Sequence, residues 1–283
     1  MEYSTAKLVQ KIGEEEINEG DFLLSQCQHL IADDDTIYVS TVINRNIRAI
    51  DAKSGQFKRD IGEIGFSDES INMAAGMAFF GDNLIMVADL NGNKVQYHNK
   101  ITGDYVKKFD ADFYFPACVS VSKSNNVYIG EVGDENKKIR CFNTELVEVC
   151  SAAVAGDRSL TGINYLVHDN VNNRVIASDS DDGFVHVFSS NLEHIFSISE
   201  DDSDSGQLNN PSGVAVDKDG NILICDLGNN AVKVFDKNGK FLSELGGSSF
   251  LNPYDVFFSV NGSVLVLDGD GISGWSRIQV FKV

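Results

Sequence analysis

With 283 residues and 42 acids against 23 bases, the chain carries a formal net charge of −19, which opposes non-specific attraction to a polyphosphate. A chain of this length buries about three quarters of its unfolded surface, so it needs neither disulfide nor metal to hold together. Its five cysteines, odd in number and without CxxC spacing, read as free thiols in a reducing compartment; Cys141 and Cys150 pair only if neighbouring strands bring them together.

Residues 1–7 lack the apolar core of a secretory signal, and no run reaches the length of a membrane span. Read as a native start, they predict a cytoplasmic protein without membrane contact. Residues 6–13, Ala-Lys-Leu-Val-Gln-Lys-Ile-Gly, then form a lone strand. Behind it one pattern recurs six times, a period that suggests stacked supersecondary units. The second strand of each copy ends at 38–41, 86–89, 128–131, 176–179, 224–226 and 266–268. An acid closes it in five of them (Asp89, Glu131, Asp179, Asp226, Asp268), with Thr41 the exception. One third-strand position is Ile50, His98, Phe142, Phe188, Phe235 and Phe281, at intervals of 48, 44, 46, 47 and 46 residues. All three prolines, Pro116, Pro211 and Pro253, stand just before a first strand, where the missing N–H costs no ladder bond.

The clearest copy is 210–246, with strands at 213–217, 222–226, 232–236 and 241–245. Its Asp-Gly and Asn-Gly turns are hairpin signals, because the residue after Asp or Asn must accept positive φ. Four strands so joined make an antiparallel meander, which is one propeller blade. The last copy, 252–283, stops after its third strand, and residues 6–13 match 239–246 position by position. The prediction is an all-β, six-bladed β-propeller, a single domain over 1–283. Its N-terminal strand completes the last blade and hides two sheet edges.

At 210–236, Asn-Pro-x-Gly-Val-Ala-Val-Asp followed by Ile-Leu-Ile-x-Asp-x-x-Asn-Asn-x-Val-x-Val-Phe-Asp resembles the NHL repeat. The resemblance spans the chain and is sharpest in the fifth and sixth copies. It implies a six-bladed propeller, in agreement with the count. It also implies a function within the family's range: RNA-binding and protein-binding domains of tripartite-motif proteins, bacterial sensor ectodomains, or the zinc lyase of peptide amidation.

In a propeller of this strand order, the loops leading into first strands share one face with those between second and third strands. The incoming loops (14–21, 63–70, 110–112, 156–160, 200–206, 247–251) hold fifteen acids and a single base, Arg158. The second-to-third-strand loops are balanced by Arg45, Lys94, Lys137, Lys138 and Arg277. This upper face has the wrong sign for RNA and suits a basic peptide or protein.

The alternative is a metal-dependent hydrolase or lyase, using calcium or zinc at the channel mouth. Zinc needs converging histidines. His98 and His186 fall in third strands and His194 in a fourth, away from the axis; His29 and His168 fall in first strands and can approach the channel. Calcium needs converging oxygens, but the recurring acids read better as strand terminators that bond loop amides, and 201–206 resembles a calcium loop only loosely. The expectation is therefore a non-enzymatic, monomeric scaffold with no cofactor and no metal.

Departures from the repeat mark the candidate contact residues. The loop 269–277 is four residues longer than its counterpart and carries Trp275, the single tryptophan, and Arg277. The third copy's incoming segment is aromatic, Phe113, Tyr114 and Phe115. Tyr254 and Phe250 add apolar surface near the sixth, and Glu200, Asp201, Asp202 and Asp204 form the densest acidic loop. Asn91, Asn229 and Asn230 are expected to serve tight loop geometry.

Overall fold

The second strands are nearly continuous apolar runs, and a run without alternation must be covered on both faces. In the computed structural model they are: Thr36–Thr41, Val127–Glu131, Arg174–Asp179 and Ile222–Asp226 are buried at every position. The structure describes residues 1–283 apart from 14–15, 19–20, 23, 43–45, 134–136, 200–205, 247–249 and 271–273.

Six four-stranded antiparallel sheets form, five of them meandering in sequence order. The fifth, for example, runs Pro211–Val216, Ile222–Asp226, Ala231–Phe235, Phe241–Glu244. First strands are innermost and meet those of both neighbouring blades, including the sixth blade's Pro253–Phe258 against the first blade's Cys27–Ala32, so the ring closes. The sixth sheet is completed by Lys7–Ile12, which lies antiparallel to Ser276–Lys282 with Ile12 opposite Ile278 and Leu8 opposite Phe281. The predicted architecture and its closure are both present. Tyr3, in the short 3₁₀ turn Tyr3–Thr5, tightens the closure by donating its hydroxyl to Asp217 Oδ2 of blade five at 2.6 Å.

The core is divided rather than central: six apolar clusters occupy the six seams between neighbouring blades. Two bulges recur in every blade. One follows the first residue of the first strand, which itself pairs with the residue ending the second strand (Pro116 with Glu131, Pro211 with Asp226, Pro253 with Asp268). The other inserts one residue into the fourth strand, opposite the repeat's third-strand aromatic: Val9, Lys58, Val106, Val149, Ile195 and Leu242. All six face solvent. A bulge increases local twist and breaks the ladder on the outer edge, where a flat strand would recruit another chain.

Two short ribbons rise from incoming loops that the repeat alone reads as irregular: Glu16–Asn18 with Asp21–Phe22, and Val154–Ala155 with Arg158–Ser159. Among the described residues no helix is long and apolar enough to cross a membrane.

Because Ile12 is buried in the seam between blades six and one while Leu8 is largely exposed, Ile12→Ala should cost about 2–5 kcal/mol in urea unfolding. Leu8→Ala should cost less than about 1 kcal/mol. Equal, small losses would place the N-terminal strand outside the cooperative unit.

His98 stands where four other copies have phenylalanine, and burial lowers its pKa from 6.5 to about 4. The native state thus holds it neutral while the unfolded chain protonates it, so its contribution is intact above pH 6.5 and is lost as pH falls toward 4. From pH 7.5 to 5 this group alone should cost roughly 2 kcal/mol. His98→Phe, the repeat's own residue, should flatten the urea-unfolding profile by that amount.

Candidate functional site

The upper face is organised by the carboxylates that end the second strands. Each is nearly inaccessible to solvent, and a buried carboxylate must be bonded. Its donors are amides of the incoming loop about 17 residues earlier. Asp89 accepts from Asn72 N (3.0 Å) and Met73 N (2.7 Å), Glu131 from Tyr114 N (2.7 Å), Asp179 from Thr161 N (2.7 Å), Asp226 from Asn209 N (2.6 Å), and Asp268 from Leu251 N (3.0 Å). The recurring acids thus terminate strands by bonding loop amides. In blade one Thr41 takes this place and bonds Asn46 Oδ1 at 2.9 Å.

Four of the five acids also draw in a cation from the third strand. Lys94 Nζ lies 3.8 Å from Asp89, Lys138 Nζ 3.7 Å from Glu131, Lys233 Nζ 2.8 Å from Asp226 and Arg277 Nε 2.9 Å from Asp268. Arg158, the single base of the incoming loops, reaches Asp182 at 3.2 Å and lies over the Phe184 ring. These four third-strand cations are therefore turned toward the blades, whereas Arg158 stays half exposed. Carboxylates of the described incoming loops (Glu63, Asp68, Glu69, Asp110, Asp157) remain at the surface.

Blade two shows how a loop is held. Lys94 is buried, and its ammonium donates to the carbonyls of Ser67 (2.7 Å), Asp68 (3.0 Å) and Ser70 (2.8 Å). Burial lowers its pKa, against the opposing pull of Asp89. Gln96 Nε2 adds bonds to the Asp68 and Ser70 carbonyls. The loop wrapped around this ammonium presents Phe66, 83% exposed, and Ile64, 58% exposed. Beside Lys94, Asn93 Oδ1 accepts from Phe115 N at 2.8 Å, so one turn of blade two anchors both its own incoming loop and that of blade three.

The aromatic segment of blade three divides. Phe113 points inward, 6% exposed, edge-on to Phe109 and Phe142 and beneath the Arg140 guanidinium, so its ring is core and not contact surface. Tyr114 is 48% exposed and packs edge-on to Phe115. Phe115 has φ +49, where the corresponding residues are Asn210 (φ +54) and Asn252 (φ +46). A bulky side chain is rare in that left-handed region, and such outliers cluster at sites.

The other predicted contacts are dispersed. Trp275 is half-buried: its segment runs beside Leu24–Gln26, through a Ser25–Trp275 bridge, Gln26 N to Gly274 O (2.7 Å) and Ser276 N to Leu24 O (2.9 Å). The long loop of blade six is therefore a second fastening of the ring at its closing seam. Arg277 is held by Asp268 and stacks on Trp275. Phe250 is buried against Phe281. Tyr254 lines the channel's upper opening. Glu200, Asp201, Asp202 and Asp204 lie outside the described residues. Of the three loop asparagines, Asn230 adopts left-handed φ; in blade two that role belongs to Asn93 rather than Asn91.

Along the axis, Tyr165 stands between two spaces. Above it an opening of about 350 Å³ is lined by Gln28, Met73, Asn164, Asn210 and Tyr254; below it a cavity of about 280 Å³ is lined by His29, His168, Asp255 and apolar residues. Its hydroxyl donates to Gln28 O at 2.6 Å across the ring and its face stacks on His29. Both first-strand histidines reach the channel. Burial lowers the His29 pKa to about 4 and raises that of Asp255 well above the carboxylate range, although Leu30 N and Val256 N donate to Asp255. Burial thus disfavours the charged form of both groups, whose Nδ1 and Oδ2 lie 3.8 Å apart. Among the described residues no three His, Cys, Asp or Glu side chains are grouped as a metal site.

Residues 208–235 match the NHL repeat family. Lin-41 of Caenorhabditis elegans is 38% identical over 50 residues, which are 18% of this chain and 4% of that protein. Three solved structures share the fold. A Bacteroides thetaiotaomicron protein of unknown function has a TM-score of 0.72 at 15% identity, covering 98% of this chain and 76% of its own. The hydrazine synthase of Kuenenia stuttgartiensis gives 0.65 at 12%, covering 96% and 99%. A streptogramin B lyase gives 0.66 at 10%, covering both chains fully.

Lys94→Met should remove the ammonium that holds the 65–70 loop and leave its carbonyls unbonded. A loss of about 3–5 kcal/mol in urea unfolding is expected, with faster hydrogen exchange at the Gly65, Ser70 and Ile71 amides. Arg158→Met, at an exposed pair, should cost less than about 1 kcal/mol. Unchanged exchange in the Lys94 variant would show that the loop is held by other contacts.

Proposed function

We propose that this NHL-repeat β-propeller is a non-enzymatic scaffold whose upper face docks a basic peptide or protein surface. What carries the reading is the inward turn of that face's third-strand cations: Lys94, Lys138, Lys233 and Arg277 are each engaged by the buried carboxylate that ends a second strand. The field of the remaining acids is then directed outward, which steers a cationic partner and repels phosphate. Specificity needs apolar anchors as well, because a few aromatic residues supply most of the energy of an interface. Phe66, Ile64 and Tyr114 provide them on neighbouring loops of blades two and three, amid Glu63, Asp68, Glu69 and Asp110. Tyr254, at the channel opening, extends the surface toward the axis, and the acids at 200–204 add charge. A bound segment would place an aliphatic or aromatic side chain against Phe66 and Tyr114, with lysines or arginines on either side.

Selection from a random peptide display library on immobilised protein tests this. Enriched sequences should carry excess Lys and Arg around an apolar residue, and their affinity should fall steeply as ionic strength rises. Phe66→Ser combined with Asp68→Lys and Glu69→Lys should weaken binding at least tenfold with Tm unchanged. Reversal of Glu200, Asp201, Asp202 and Asp204 should weaken it further. Enrichment of acidic or neutral sequences, indifference to charge reversal, or stoichiometric zinc or calcium in the purified protein would overturn the reading.

A further inference from the structure

We propose that Cys141 and Cys150 form a reversible cross-strand disulfide, making the outer half of blade three a redox modification site. The two residues face each other in register, Cys141 on Lys138–Phe142 and Cys150 on Glu148–Ala152. Directly opposed residues of an antiparallel pair have Cα atoms about 4.5–5.5 Å apart, inside the roughly 4.4–6.8 Å window that a disulfide requires. Directly opposed residues of an antiparallel pair project from the same side of the sheet, so the two side chains are neighbours. Nothing in the repeat requires thiols here. The equivalent pairs are Ala49 with Arg59, Tyr97 with Lys107, Val187 with Phe196, Val234 with Ser243 and Val280 with Gln10.

Accessibility separates Cys150 from the other four cysteines. Cys150 is partly exposed, whereas Cys27, Cys118 and Cys225 are buried in blade seams or sheet interiors. Burial raises both thiols above the ordinary value, and the partly exposed Cys150 sulfur is the one an outside disulfide can reach. Cys150 is therefore the attacking sulfur and Cys141 the resolving one. With a small disulfide such as oxidised glutathione, Cys150 loses its proton to solvent, attacks one sulfur and expels the first small thiol. Cys141 then loses its proton, attacks the Cys150 sulfur of the mixed disulfide and expels the second. Two protein thiols are oxidised and one small disulfide is reduced to two thiols.

The experiment is treatment of the folded protein with oxidised glutathione, followed by alkylation in denaturant, intact mass and peptide mapping. Wild type should lose two hydrogens, alkylate at three of its five cysteines, and yield a cross-linked peptide pair containing Cys141 and Cys150. The rate should climb as pH rises above neutrality, because the reacting species is the thiolate. Cys141→Ser should stop at one glutathione adduct on Cys150, and Cys150→Ser should form neither adduct nor bond. A stable adduct on wild-type Cys150, a bond to Cys27, Cys118 or Cys225, or five alkylated cysteines after prolonged oxidant would overturn the assignment. The wild-type map decides the matter even if a serine variant fails to fold.

Discussion

The bond between a second-strand carboxylate and the amides of the loop entering the same blade is the constraint from which the upper face follows. An ionised carboxyl that is shielded from water demands donors, and the chain supplies them from backbone that has just crossed from the previous blade. One residue per blade thereby fixes where the crossing chain turns down into the first strand. The three prolines fit this arrangement, since each pairs with the acid at the ladder position where a bulge begins. Blade one manages with Thr41 and Asn46, a neutral pair that needs no cation.

From this constraint the electrostatics of the face follow. A buried carboxylate with amide donors still holds net negative charge, and Lys94, Lys138, Lys233 and Arg277 bend inward to meet it. In blade four His186, 3.9 Å from Asp179, stands in that position, and burial keeps it from ionising readily. The cations are spent within the blades, so a loop count that includes them understates how negative the exterior is. Structure and charge pattern are one device: the interactions that stiffen the loops also remove the positive charge from their surface.

Period and composition made the architecture legible. Four-strand copies at near-constant spacing, prolines in one register and a fourth strand missing at the end but present at the start were enough, because each is a backbone property that repeats. The candidate site was less legible, because a repeat tells what is shared and a site depends on what is not. Phe113 and Tyr114 are neighbours of similar character, yet the loop turns one into the Phe109–Phe142 seam and the other outward. Phe66 lies in a loop whose acids dominate its sequence, although an aromatic among Glu63, Asp68 and Glu69 is itself a visible signal. Trp275 had the opposite fate: an insertion that looked like a binding feature is chiefly a fastening against Leu24–Gln26.

The ring itself explains why the exposed aromatics Phe66 and Tyr114 lie on loops of adjacent blades. Each apolar cluster sits in a seam and belongs equally to two sheets, so side chains on the sheet faces are committed to packing, and only loop tips vary freely. Variation at one tip still requires support from a neighbour. Asn93 and Lys94 provide it by holding the loops of blades two and three from a single turn. Phe115 then tolerates a left-handed backbone that asparagine occupies in blades five and six, because the bond from its amide to Asn93 holds it there. The strain lies beside the exposed Tyr114.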